Sequence, residues 1–197
     1  PAVGSVRAIP VAQGLENPWA VAFLPEGRFL VTERPGRLRV VEADGRLNPP
    51  VAGLPAVAAG GQGGLLDVVP DRGFTGNRTL YFCFSEPAPA GAAGNSTALA
   101  RARLSEDRTR LEDLRVIFSQ RPKVASSLHF GCRIVEGMRD GRPDGTLFLA
   151  LGERFTQDEI QDMARSLYNF LMAQAAPFEW LDQALEASVP AELYGHP

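Results

Sequence analysis

Trp19-Ala20-Val21-Ala22-Phe23, Phe29-Leu30-Val31-Thr32-Glu33 and Arg37-Leu38-Arg39-Val40-Val41 are three short apolar and β-branched runs, separated by segments built on Pro25-Glu26-Gly27 and Arg34-Pro35-Gly36. Runs of that length bounded by Gly and Pro read as strands, and such short turns fold neighbours back antiparallel. The segment from Trp19 to Val41 is therefore a three-stranded meander, which a fourth strand would complete as a propeller-like blade. The plan returns in Cys132-Arg133-Ile134-Val135, a longer loop ending Asp144-Gly145, and Leu147-Phe148-Leu149-Ala150-Leu151-Gly152-Glu153-Arg154. A radial array of sheets produces such recurrence, because each blade buries its faces only against neighbouring blades.

Outward from these two segments the same pattern places strands near 5–12, 19–24, 28–33, 37–42, 64–69, 79–85, 97–104, 113–119, 132–136 and 146–151. The Ala-, Gly- and Pro-rich tract at 87–94 reads as an exposed loop between strands. After Arg154 the pattern changes. Thr156-Gln157-Asp158-Glu159 resembles a capping box, and Ile160, Met163, Ala164, Leu167, Phe170 and Leu171 recur at helical spacing. A helix over about 158–175 is expected, then a shorter one opened by Pro177 and stopped before Pro190. The expected organisation is a β-domain over 1–157 and a helical tail over 158–197.

The 197 residues suffice for one sizeable core, and 20 Gly with 16 Pro favour many turns between short strands. A net charge of −3 offers no basic field for nucleic acid or an acidic membrane, and neither partner is expected. No apolar run is long enough to span a bilayer, and no targeting peptide is expected in the chain. The two cysteines, Cys83 and Cys132, sit in apolar stretches far apart in sequence. They read as buried free thiols, with a single bridge as the alternative.

One of the two histidines, His129, lies on the bend Ser126-Ser127-Leu128-His129-Phe130-Gly131, immediately before an apolar strand. Its ordinary reading is a satisfied core histidine; its functional reading is a general base presented into a cleft. Gln62 stands within Gly60-Gly61-Gln62-Gly63-Gly64. Those glycines precede a strand rather than open a helix, which rejects a dinucleotide loop. They make either a flexible turn or a backbone that closely approaches a planar ligand, with Gln62 projecting from it. No His, Cys, Asp and Glu spacing marks a metal site.

Gly14-Leu15-Glu16-Asn17-Pro18-Trp19-Ala20, Phe29-Leu30-Val31-Thr32-Glu33-Arg34, Gly61-Gln62-Gly63-Gly64-Leu65-Leu66-Asp67 and His129-Phe130-Gly131-Cys132-Arg133 together resemble the soluble PQQ-dependent aldose sugar (glucose) dehydrogenases. The resemblance runs from about residue 14 to 157. It implies a mainly β chain forming about three blades of a six-bladed-type propeller, joined here to the helical segment. It implies pyrroloquinoline quinone (PQQ) and calcium as cofactors, an aldose substrate, and a periplasmic or secreted location. By the same resemblance His129 is the base that takes the sugar C1 hydroxyl proton, Gln62 lines the cofactor and substrate pocket, and Gln157 contacts sugar.

Two departures bear on function. Leu128 stands where the family often has an aspartate, which leaves the orienting partner of His129 unassigned. The family's calcium ligands and cofactor-binding cations lie downstream of the stretch that matches. The isolated chain is thus expected to be weak or inactive, with uncovered blade faces that favour association between copies. Two other classes remain open: a propeller lactonase using carboxylates such as Asp67 and Glu153 on a metal, and a noncatalytic scaffold for binding or assembly.

Overall fold

A computed structural model describes residues 7–154. Within them the chain forms nine strands: β1 (Pro18–Phe23), β2 (Phe29–Glu33), β3 (Arg37–Val41), β4 (Leu65–Pro70), β5 (Thr79–Pro87), β6 (Asn95–Leu104), β7 (Leu111–Ser119), β8 (Gly131–Arg139) and β9 (Arg142–Leu151). A single helical turn, α1 (Phe74–Asn77), precedes β5. The strands make three antiparallel meanders in chain order: β1-β2-β3, β4-β5-β6-β7 and β8-β9. The chain is mainly β, as its sequence pattern implies. The expected helical tail over 158–197 lies outside the described residues.

In the middle sheet β4, β5 and β6 are largely buried on both faces while β7 is largely exposed, and the alternating side chains explain how. On β5, Leu80, Phe82 and Phe84 point to one side, where Ala22, Leu30, Leu38 and Val40 of the first sheet meet them. Cys83 and Tyr81 point to the other, where Phe130, Cys132 and Ile134 belong to the third sheet and its approach. The alanines Ala98, Ala100 and Ala102 on β6 keep the first interface thin enough for the large β5 side chains to fill. The far faces of the outer sheets carry exposed apolar residues, among them Val21 and Phe23 on β1 and Val135 and Phe148 on β8 and β9.

Two expectations are corrected. No strand forms over residues 7–15. Pro10 has no amide hydrogen to donate, and Ile9 and Val11 remain exposed beside no partner strand among the described residues. Among the described residues the first sheet has three strands, and a single bridge, Val41 to Leu47, follows β3. The cysteines are not free thiols but a disulfide, Cys83–Cys132, with Cα atoms 6.4 Å apart, tying the second sheet to the third. Sequence distance concealed this pairing because the two residues meet only across the packed sheets.

At the end of the first sheet, Glu33 is fully buried. It accepts bonds from the Arg37 Nε (2.7 Å), the Arg39 guanidinium (3.3 Å) and the Glu16 backbone N–H. Burial pushes its carboxyl upward, but these donors outweigh burial and hold it below its ordinary value.

Candidate functional site

Three glycine-bearing segments converge at the ends of β4, β8 and β9. The Gly60–Gly64 turn donates the Gln62 backbone N–H to the Ser127 carbonyl (2.8 Å), and Gln62 Oε1 accepts the His129 backbone N–H (2.8 Å). A side chain at Gly61 would bring its Cβ within 2.6 Å of the Ser127 carbonyl oxygen, so only glycine allows the two loops this close. On the other side the Gly152 N–H donates to the Phe130 carbonyl (3.0 Å), and a Cβ at Gly152 would overlap the His129 carbonyl oxygen. Thr97 Oγ1 donates to the same Phe130 carbonyl (2.7 Å), while the Gln120 side-chain amide donates to the Gly152 carbonyl (2.9 Å).

This packing holds His129 at φ 55°, in the left-handed region that a residue with a Cβ enters only when its surroundings fix it. Its imidazole is half-exposed, with Nδ1 in contact with the Glu153 carboxylate. That contact assigns the proton to Nδ1 in the neutral ring and leaves Nε2 as the proton acceptor. Among the described residues, nothing bonds Nε2. The structure brings the Gln62 side chain to the backbone of His129 and not to its ring. Gln157 lies outside the described residues.

Glu153 was missed as the partner of His129. Leu128, in the position before the histidine, left the orienting partner unassigned, and the carboxylate that meets Nδ1 comes from just beyond the end of β9. Its signal was available: Glu153-Arg154 closes the second copy of the repeat as Glu33-Arg34 closes the first. The lactonase constellation is not assembled. Asp67 is buried and accepts the Ile134 N–H (2.8 Å) and its neighbour Val68 N–H (3.0 Å), apart from the Glu153 carboxylate committed to His129. Among the described residues no group of three or more His, Cys, Asp or Glu side chains converges to hold a metal.

An apolar hollow of about 400 Å³ lies elsewhere, on the outer face of the first sheet, lined by Val11, Leu15, Trp19, Val21, Phe29 and Val31 among others. It contains no titratable side chain and is not a site for proton transfer.

The glucose/sorbosone dehydrogenase family model matches residues 15–171. The chain belongs to this family. The match to the glucose/sorbosone dehydrogenases continues past Gln157 into residues whose periodicity reads as a tail. An aldose sugar dehydrogenase of Escherichia coli, YliI, is 43% identical over 150 residues, covering 76% of this chain and 38% of the relative. A crystal structure of a glucose dehydrogenase superposes with a TM-score of 0.66 at 46% identity, over 75% of this chain and 41% of that one. The PQQ-bound aldose sugar dehydrogenase of Streptomyces coelicolor gives a TM-score of 0.64 at 29% identity, over 82% and 46%. The chain thus spans less than half the length of these relatives.

The family's cofactor imposes a chemical test on the described residues. PQQ is a tricarboxylate and needs cations converging on it. Near His129, however, Arg34 donates to the Gly61 carbonyl (2.6 Å), Arg154 is buried beneath the His129 loop, and the exposed Arg133 lies 3.7 Å from Asp67. Among the described residues, then, no set of cations converges beside His129 to receive such carboxylates.

Proposed function

We propose that this chain carries the proton-abstracting part of a quinone-dependent aldose oxidation. In that reaction the C1 hydroxyl proton passes to His129 Nε2, hydride leaves C1 for an acceptor, and the sugar becomes a lactone. The observation supporting this reading is the half-exposed imidazole held by Glu153 at Nδ1, on a backbone whose His129 N–H donates to Gln62, with Nε2 left without a partner among the described residues. Glu153 selects the tautomer and stabilises the imidazolium formed on proton transfer, which lowers the barrier most when charge develops. Gln62 keeps the His129 backbone in place from its own glycine-rich turn.

PQQ, when bound, supplies the hydride acceptor, and calcium is its companion in this reading. Gln62 would line their pocket, but the described residues bring no converging cations or ligand cluster to hold them, so the chain alone is expected to turn over weakly or not at all. The Cys83–Cys132 bond supports a periplasmic or secreted location, since structural disulfides persist in oxidising compartments. The exposed apolar faces of the outer sheets support association through those surfaces, which sedimentation of the chain checks.

The decisive experiment places residues 15–154 in the Escherichia coli relative, in place of that protein's matching segment. The chimera is loaded with PQQ and calcium and assayed by dye reduction with glucose and other aldoses. Aldose-dependent turnover is expected, with a loss of roughly 10²–10⁴-fold in His129→Ala. A folded chimera without such turnover, or one indifferent to His129→Ala, sinks the reading.

A further inference from the structure

Arg154 is 3% exposed, although it follows directly upon the half-exposed Glu153. Its guanidinium carbon sits 3.5 Å from the centroid of the Phe130 ring. One terminal nitrogen donates to the Leu128 carbonyl, and the other donates to the Ser126 carbonyl (2.8 Å) and to the Asn95 side-chain oxygen. Nε has no partner among the described residues. Burial pushes the guanidinium below its ordinary pKa, partly opposed by the neighbouring Glu153 carboxylate.

Burying a cation among neutral acceptors is unfavourable beside an apolar side chain of similar volume. What an apolar side chain lacks is a planar fork of donors. Here the fork grips the carbonyls one and three residues before His129, and Asn95 anchors it to the start of β6. These bonds act on the segment whose left-handed end, His129, stays in place only while its surroundings hold it.

We propose that Arg154 is a positioning residue for His129. By fixing the Ser126 and Leu128 carbonyls it keeps the His129 backbone at its positive φ and the ring on Glu153, with Nε2 facing outward. The proposal rests on the reading of His129 as the base, but it concerns the orientation of the ring and is measurable without turnover. Glu153 and Arg154 then divide the work between neighbouring positions: one holds the imidazole, and the other holds the loop that bears it.

The test uses the full chain labelled with ¹⁵N-histidine, with His196→Gln to assign the two rings, at an alkaline pH where imidazole is neutral. The wild type is expected to show the Nδ1–H tautomer at His129. Arg154→Met should replace it with a mixture and speed exchange of the His129 amide by about tenfold or more. Arg154→Lys should restore part of both, because an ammonium reaches one carbonyl but not the fork. Asn95→Ala, which removes one acceptor and leaves the arginine, should move both readouts the same way by less.

An Arg154→Met chain that melts earlier but keeps tautomer and amide protection reduces Arg154 to packing and overturns the proposal. A wild type in the Nε2–H tautomer does so as well. Should Arg154→Met not fold, Asn95→Ala decides: a shift supports the proposal, and an unchanged ring overturns it. An inactive chimera in the dye assay sinks the aldose reading without touching this result, and an unresponsive ring sinks the positioning role without touching turnover.

Discussion

Glu33-Arg34 and Glu153-Arg154 close two copies of one sequence plan, yet the two pairs put their charges to opposite uses. In the first copy the carboxylate is buried and the arginine reaches outward to the Gly61 carbonyl of the Gln62 turn. In the second the carboxylate lies partly in solvent against the His129 ring, and the arginine is buried under the His129 loop. The reason lies in the neighbours. The strand after Glu33 carries Arg37 and Arg39, which draw its carboxylate inward, whereas Glu153 meets an imidazole presented by the bend before β8. A repeated dipeptide thus became a structural clamp at one end and part of the proposed site at the other. In both copies the arginine secures a loop that bears a candidate site residue.

The two ends also differ in what fastens them to the middle sheet. The first sheet shares a large apolar cluster with it, while the third shares a smaller one reinforced by the disulfide. Removing that bond in Cys83→Ser/Cys132→Ser should have the largest effect on stability. A loop closed across a sequence separation of 49 is worth about 4 kcal/mol in the chain-entropy estimate. Urea denaturation of the oxidised chain and the double variant measures it. A loss confined to the first sheet in amide exchange would contradict the contrast drawn here.

Next in size, Glu33→Gln should cost about 3 kcal/mol, at the lower end for a broken buried pair because Arg37 is partly exposed. Its pH dependence has a definite sign. The folded carboxyl lies below its ordinary 4.5, so its stabilisation is complete above that value and is lost as pH falls through the folded pKa. Thermal melts between neutral and acid pH should converge for wild type and Glu33→Gln at the acid end. A constant gap would mean that the charge of Glu33 is not what stabilises the first sheet.

Arg34→Met should be milder, about 1 kcal/mol for one hydrogen bond at the surface, with faster exchange at the Gln62 amide. Unchanged exchange there would break the parallel between the two arginines. Smallest in stability is Glu153→Gln, within about 0.5 kcal/mol, because both members of its pair are substantially exposed. It should nonetheless unfix the His129 tautomer in the ¹⁵N spectrum, and a retained tautomer would remove Glu153 from the site.

Much of this architecture was legible because alternation and turn chemistry are local. The meander of β1 to β3, the β5–β6 pair and the loop between them follow from short β-branched runs bounded by Gly and Pro. The same local logic failed at residues 7–15, where the apolar residues had no neighbouring strand to pair with and Pro10 could not donate. His129 and Gln62 stood out as polar side chains on glycine bends, a signal that survives in one dimension.

Their neighbours did not, because each is separated in sequence from the group it serves. Glu153 approaches His129 from the end of another strand, and Arg154 grips carbonyls whose identity as amino acids is irrelevant to it.

Sequence by itself determined the succession of β-meanders, the family, and the two glycine bends that carry an imidazole and an amide, since periodicity, turns and motif spacing are written along the chain. Tertiary packing alone decided which residues meet. It paired Cys83 with Cys132, gave His129 a carboxylate from β9's far end, and drew Arg154 under the loop. The physical reason is that hydrogen bonds and ion pairs form at about 3 Å in space, and only the stacking of the three sheets brings these distant segments that close.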